Sequence, residues 1–400
     1  MIVHELDLIR KHAPIVYFDA AEPFTPQLVG HAVLRASGPS PSFDRYLSLR
    51  LPDGRTAAAV IEYALWTDWD IDHLYELEHV WSYLDEAGRL IHAEASWHGG
   101  FGALVQEGQL VHEGDRPVAY AQPGKHAMAA TPEIFTRFDV MREQFRLSAE
   151  RNGRGGLLVG NTIPGRIEKN ARRDMLANAF LRQHAFTPTW RFANRWDGAA
   201  AHFLPVRELI DKIPSRLEGV LHRLEADRQQ RPLWVVLFDL GDTLMDETTE
   251  EKDAANCTER ADLFAGAADF VWELRRAGYL VGLVADTRPN TYRNVLRQHG
   301  LWRAFDVLAI SEELGCEKPD PRMFEAALRG FGLRPDEANR AVMVGNNLAR
   351  DVRGAKAAGM KTVWLHFNER YPTSPRDDAE RPDREATSFD QLRQVIGELS

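Results

Sequence analysis

A chain of 400 residues is too long for one ordinary core, so two domains are expected. With 44% apolar and 27% charged residues and a formal net charge of −10, the composition is that of a soluble globular protein and argues against a nucleic-acid partner. Cys257 and Cys316 are the two cysteines, which excludes a disulfide framework and a CxxC zinc site. No apolar run is long enough to span a bilayer, and the opening Met1 to Asp7 lacks the basic and apolar parts of a secretion signal. A cytoplasmic location is therefore the expectation; the oligomeric state is not legible.

Residues 1–150 read as a β-rich, sandwich-like domain. Pro14 to Asp19 suits an entry strand. Arg45 to Leu51 alternates polar and apolar residues, turns at Pro52-Asp53-Gly54 and meets a second run from Thr56 to Leu65, the pattern of a hairpin. Val80 to Leu84 turns at Glu86-Ala87-Gly88 and returns through Leu90 to Glu94, and Pro117 to Ala121 is a further short strand. Strands spaced this regularly suggest an antiparallel sandwich.

Histidines gather in this half, nine of fourteen between His4 and His126. Glu76 and Glu78 are two residues apart, which in a strand places both carboxylates on one face, where they repel unless a cation or imidazole lies between them. His98 and His126 are candidates to supply imidazole. One reading is a divalent-metal site made by Glu76, Glu78, His98 and His126. The other is a solvated, charged sheet face with hydrogen-bonded histidines.

Residues 151–230 read as a helical linker region. Helical periodicity from Arg137 to Arg151 is followed by a flexible break at Asn152 to Gly156. Ala171 to His184 is rich in helix formers, and Val206 to Gln229 repeats apolar residues at Leu209, Ile213, Leu217, Val220, Leu221 and Leu224.

Residues 231–400 alternate buried strands with helices. The strands are 235–238, 280–285, 307–310, 341–345 and 361–365; the helices are 265–277, 291–300, 321–330, 349–359 and 389–399. This pattern predicts a Rossmann-like parallel sheet with helices on both faces. Asp239 ends the first strand, at the mouth where such sheets bind ligands. Only the polar stretch from Asp246 to Ala261 separates this strand's turn from the next helix, too little for a helical cap, so a capless domain is expected.

Two family resemblances follow from the motifs. Asp239, then Asp286-Thr287, then Glu317-Lys318-Pro319-Asp320-Pro321, then Gly345-Asn346-Asn347 with Asp351, in this order and spacing, resemble the haloacid dehalogenase (HAD) superfamily across residues 233–400. The resemblance implies a Mg2+-dependent phosphomonoester hydrolase working through an aspartyl-phosphate. It makes Asp239 the nucleophile, Lys318 the charge stabiliser and Thr287 the holder of the phosphoryl oxygen. Asp239, the Gly241 carbonyl, Asn346 and Asp351 become the metal-side positions. Three departures stand out. Gly241 replaces the usual general acid, Ala285 stands at the Ser/Thr position, and Asn346 replaces an acidic residue. They keep open an alternative, a catalytically weak scaffold or ligand-binding module with its activity or metal in the first domain. The substrate expected on the first reading is a phosphorylated small molecule or macromolecule.

The second resemblance covers about the first 135 residues. Pro14 to Pro23, Glu76-Leu77-Glu78-His79-Val80, His98-Gly99-Gly100, Arg116 to Tyr120 and Gly124-Lys125-His126-Ala127 are similar to the Vps62-related β-sandwich family, with Lys125 in place of a serine. It implies a metal-capable sandwich and no particular reaction.

Overall fold

The computed structural model describes residues 2–137, 143, 146 and 152–400. Most of the helical periodicity expected over 137–151 lies outside the described residues. The chain packs as two compact units, one of residues 1–169 and 184–222, the other of residues 170–183 and 223–400. The stretch 151–230, expected as a separate linker, is thus shared out between them. Among the described residues, no helix is long and apolar enough to cross a membrane.

The first unit is β-rich. Its longer sheet runs, in spatial order, Phe203–Pro205, Leu28–Leu34, Ala59–Trp69, His73–Leu84, Leu90–Trp97 and Gly100–Ala103. A second sheet contains His112–Glu113, Arg116–Ala121, Ile15–Phe18 and Asn194–Asp197. Val16, Phe18 and Ala119 from the second sheet share one core with Ile61, Tyr63, Val80 and Ala93 from the first. The Tyr63 hydroxyl, buried in this core, donates to the Ile9 carbonyl at 2.7 Å.

The pairing differs from expectation in one hairpin. Ala59–Trp69 pairs with Leu28–Leu34 and with His73–Leu84, not with the run from Arg45 to Leu51. That earlier run forms only a bridge from Arg50 to Thr56 and a short pairing of Tyr46–Leu47 with Gly38–Pro39. Two strands of eleven and twelve residues align over nearly their full lengths, which the shorter 45–51 run cannot match. The mixture also includes parallel pairings, Ile15–Phe18 with Arg116–Ala121 among them, so the unit is not purely antiparallel.

His79 is buried in this unit. Its ring stacks on Trp81 with centroids 5.5 Å apart, and its Nε2 lies 2.9 Å from Ser42 Oγ. Burial lowers its pKa to about 4, the nearby Glu62 carboxylate opposing the shift.

The second unit contains a fully parallel sheet in the order Val307–Ile310, Leu280–Ala285, Val235–Phe238, Ala341–Gly345, Lys361–Leu365, Arg384–Ala386. Strand alternation sorts its side chains onto two faces. Val236, Phe238, Val281 and Leu283 face a core with the helices Ala267–Arg276, Pro289–Gln298 and Phe389–Leu399. Val235, Leu237, Leu280 and Met343 face the helix Pro321–Gly330. The helix Ala171–Gln183 joins this second face through Leu176 and Ala179.

Two charge clusters fasten that helix. Arg172 Nη1 meets Glu337 Oε2 at 2.7 Å, and Arg228 Nη2 meets Glu337 Oε1 at 3.0 Å. Arg182 pairs with Asp306, both side chains 3% exposed, and the same carboxylate takes Arg275 at 3.0 Å and the Val281 N–H at 2.9 Å. A carboxylate that closes two guanidinium groups and a backbone N–H is costly to remove once it is buried.

The Asp306→Ala variant is therefore expected to lose about 3–5 kcal/mol of unfolding free energy, read as a lowered denaturant midpoint; a loss below about 1 kcal/mol contradicts the role. His79 makes a separate prediction with pH. Its folded pKa lies below the unfolded value, so the unfolded chain binds the extra proton. Its contribution is full above pH 6.5 and is lost as the pH falls toward 4. The denaturant midpoint of His79→Gln is expected to fall less steeply than that of the wild type across this window.

Candidate functional site

The strand Val235–Phe238 carries four buried apolar residues to the sheet's mouth, and Asp239 follows. The Asp239 N–H still donates to the Val344 carbonyl, at 3.0 Å, so its backbone is held by the neighbouring strand. That strand, Ala341–Gly345, ends beside it and leads into Asn346 and Asn347. A Cβ on Gly345 would lie 2.6 Å from the Cβ of Asp351 and collide with its carboxylate, so only glycine lets that carboxylate approach. The Asn347 side chain accepts from Ala349 and Arg350 N–H groups and starts the next helical turn, which delivers Asp351.

Lys318 joins the two carboxylates. Its Nζ is 2.5 Å from Asp239 Oδ1 and 2.7 Å from Asp351 Oδ1. Its own N–H donates to Asp286 Oδ1 at 2.9 Å, while Arg350 holds Asp286 Oδ2 at 3.0 Å. The second oxygen of Asp351 accepts from Asn347 N–H at 2.9 Å.

Burial pushes the Asp239 carboxyl up to about 7, Lys318 pulling against that and Asp351 adding to it. Burial alone would lower the Lys318 pKa, but Asp239 and Asp351 hold it above its ordinary value. The directions agree: one ammonium stays charged between two carboxylates that compete for it.

Asp239, Gly241, Lys318, Asn346 and Asp351 line one cleft of about 200 Å3. Thr287 lines an adjoining hollow that also reaches Asp239 and Gly241, and its N–H donates to Ser311 Oγ at 3.0 Å. All six positions expected to act together are thus gathered. Asn346 is buried, its carbonyl accepts from Trp364 Nε1 at 2.8 Å, and its side-chain nitrogen has no hydrogen-bond partner in the structure. Asp239, Asp351, Asn346 and Gly241 all line this cleft and are the residues that could offer oxygens to a hard divalent cation. The unpartnered Asn346 Nδ2 is a hydrogen-bond donor, which suits an anionic oxygen in the cleft and not a cation.

Asp242 does not replace the missing acid. It has a positive φ of 49° and turns its carboxylate away, Oδ1 accepting from the Glu247 N–H at 3.1 Å and Oδ2 meeting Arg370 at 3.1 Å. In the segment after it, a single helical turn, Glu247–Thr249, precedes a hairpin of Glu251–Lys252 and Thr258–Arg260. The hairpin docks on the helix Pro289–Gln298 through Thr258 N–H to Thr291 Oγ1 at 3.0 Å and Asn294 Nδ2 to the Thr258 carbonyl at 3.0 Å. No α-helix is inserted among these described residues.

Glu247 and Arg370 both belong to the site's surroundings, and sequence reasoning missed them. Glu247 lies in a polar loop without periodicity, and Arg370 is far along the chain in a turn-rich stretch. Neither position carried a signal.

The metal set expected in the first unit is not assembled. Asp70, His73 and Glu76 bring one possible ligand atom each to within 4.8 Å of one another. His98 is exposed in a turn with a positive φ of 46°, and His126 Nε2 lies 3.4 Å from Glu22 Oε1. Lys125 is the cation among the acids: its Nζ meets Asp70 Oδ2 at 2.5 Å and lies 3.4 Å from His73 Nε2. Burial raises the Glu76 pKa well above the ordinary range, with Asp70 and Glu78 adding to the shift. The quartet of Glu76, Glu78, His98 and His126 therefore gives way to a lysine-neutralised acidic cluster.

With this geometry in hand, comparison places part of the chain in a family. Residues 222–359 match the model of haloacid dehalogenase-like hydrolases, and the chain carries a HAD-superfamily segment there. It is 40% identical over 124 residues to a phosphoserine phosphatase of Thermus thermophilus, 31% of this chain and 47% of the relative. A glyceraldehyde 3-phosphate phosphatase of Methanopyrus kandleri is 37% identical over 128 residues, 32% of this chain and 54% of its own length. The chain spans about half the length of these relatives. A solved HAD phosphatase from Thermococcus onnurineus is 21% identical, covering 41% of this chain and 98% of its own, at a TM-score of 0.34.

Removing Lys125 should expose the acidic cluster of the first unit. Lys125→Met is expected to cost about 3 kcal/mol or more by denaturant unfolding of the full chain, and an unchanged midpoint contradicts the neutralising role.

Proposed function

We propose that this protein is a phosphomonoester hydrolase of HAD type with its chemistry on Asp239. The single observation that carries the reading is Lys318, buried and bonded at once to Asp239 and Asp351 at the mouth of the parallel sheet. The matched relatives, named as phosphatases of small phosphorylated metabolites, support a phosphorylated small molecule as substrate. The first unit is an accessory domain in this reading.

The Asp239 carboxylate attacks phosphorus, an Asp239–phosphoryl bond forms, and the ester P–O bond breaks. Water then cleaves the aspartyl-phosphate, releasing inorganic phosphate and restoring the carboxylate. Lys318 offsets charge where two anions must meet and fixes the attacking oxygen's partner in place. The Thr287 segment, at the adjoining wall of the cleft, holds a phosphoryl oxygen. Asp239, Asp351, Asn346 and the Gly241 carbonyl are the groups that would hold Mg2+, which supplies electrostatic stabilisation of the phosphoryl oxygens when bound.

The missing side chain at Gly241 favours the other reading, a catalytically weak scaffold or binding module. Turnover of para-nitrophenyl phosphate separates the two. The expected result is Mg2+-dependent phosphate release, abolished by a chelator and lowered about 10³-fold or more in Asp239→Asn. Equal background rates in the two proteins reject the hydrolase.

A further inference from the structure

Glycine at 241 leaves a gap beside the nucleophile, and another residue fills it. A Cβ built on Gly241 would overlap Glu247 Oε1 and lie 2.9 Å from its Cδ and 3.3 Å from its Cγ. The Glu247 carboxylate therefore occupies the volume into which a side chain at 241 would extend. We propose that Glu247 is the proton-transferring catalytic residue of this site, reaching from six residues further along the chain into the place of the absent acid. The proposal rests on the phosphomonoesterase reading above.

The carboxylate is held from two sides. Asp242 Oδ1 accepts the Glu247 backbone N–H at 3.1 Å, which fixes where the side chain begins. Arg370 meets Glu247 Oε2 at 2.6 Å and Asp242 Oδ2 at 3.1 Å. Oε2 is thus tied to Arg370, while Oε1 is turned toward Gly241. Glu247 shares the cleft with Asp239, Lys318 and Asp351. Asp242 and Arg370 are positioning residues in this arrangement, acting on substrate only through Glu247. The glycine is then a requirement, because any side chain at 241 would displace the carboxylate.

The proton balance is simple. As Asp239 displaces the alcohol, the ester P–O bond breaks and the leaving oxygen takes the proton of Glu247. In the second step Glu247 takes a proton from the attacking water, whose oxygen bonds to phosphorus as the Asp239–phosphoryl bond breaks. Glu247 ends protonated, as it began.

The test uses the full chain with Mg2+ and two probes, para-nitrophenyl phosphate with a good leaving group and glycerol phosphate with a poor one. In Glu247→Gln, glycerol phosphate turnover is expected to fall about 10²–10⁴-fold. Para-nitrophenyl phosphate should still release a burst of about one nitrophenolate per active chain before a slow phase, because the first step needs no acid there. The double variant Gly241→Asp with Glu247→Ala, which opens the space and supplies the carboxylate from 241, is expected to recover glycerol phosphate turnover. Wild-type rates on both probes in Glu247→Gln overturn the proposal. So does an equal fall on both probes without a burst and without recovery in the double variant, which marks a structural role. The reading beneath it fails differently, since a wild-type chain that releases no more phosphate than Asp239→Asn overturns both.

Discussion

The second unit turns on one buried ammonium. The Lys318 side chain is 2% exposed and bonds to Asp239 and Asp351, which the fold brings from beyond the ends of two adjacent parallel strands. Without it, two carboxylates would face each other in a desolvated cleft, an arrangement that protonation or local unfolding would relieve. The same ammonium leaves the trio with a net charge of −1. Much of the local chemistry of the chain serves that contact. Gly345 lacks a side chain so that Asp351 can approach, Asn347 caps the turn that carries Asp351, and Asp286 fixes the backbone of Lys318 while Arg350 fixes Asp286.

The first unit meets a similar problem with the same kind of group. Asp70 and Glu76 are buried with the half-buried Glu78 close by, and Lys125 reaches in among them. An ammonium on a flexible stem does what a bound cation would otherwise do there. The difference lies in what surrounds it. Lys318 lines a cleft of about 200 Å3 that it shares with Asp239, Asn346 and Asp351. Around Lys125 the acids answer to groups of their own chain: Ser96 donates to Glu78, and the N–H groups of Asp72 and His73 donate to Asp70. Acidic spacing alone does not distinguish these cases, because the neutralising residue can come from anywhere in the sequence.

What the sequence disclosed follows the same logic. The strands of the second unit were legible because each is a short apolar run ended by a turn, and the side chains at their ends lie where the topology must put them. Asp239 could be read from its place at a strand end for that reason, whereas Lys318, Asn346 and Asp351 were singled out through the resemblance of their motifs to the haloacid dehalogenase superfamily. The helix Ala171–Gln183 was legible as a helix but not in its allegiance, since periodicity reports an apolar face and not the core it joins. The 45–51 run alternates well enough for a hairpin, yet the longer His73–Leu84 strand takes its place. Glu247 was hidden for a different reason. Its position depends on a turn held by Asp242 and on Arg370, more than a hundred residues away, and neither leaves a periodic trace.

That last dependence bears on how departures from a family pattern are weighed. Counted singly, Gly241 and Asn346 are two losses from one site. Physically they are not independent of their surroundings. Gly241 is the condition under which Glu247 can bring a carboxylate to the same volume, so the group is moved rather than missing. Asn346 keeps an oxygen donor but adds no charge to a trio already at −1. With a divalent cation bound, that set would stand at +1, whereas a third carboxylate would bring it to zero. A dianionic phosphoryl group is drawn more strongly to the first than to the second. Each substitution shifts where charge and protons sit around Asp239, and each leaves intact the ammonium that holds the site together.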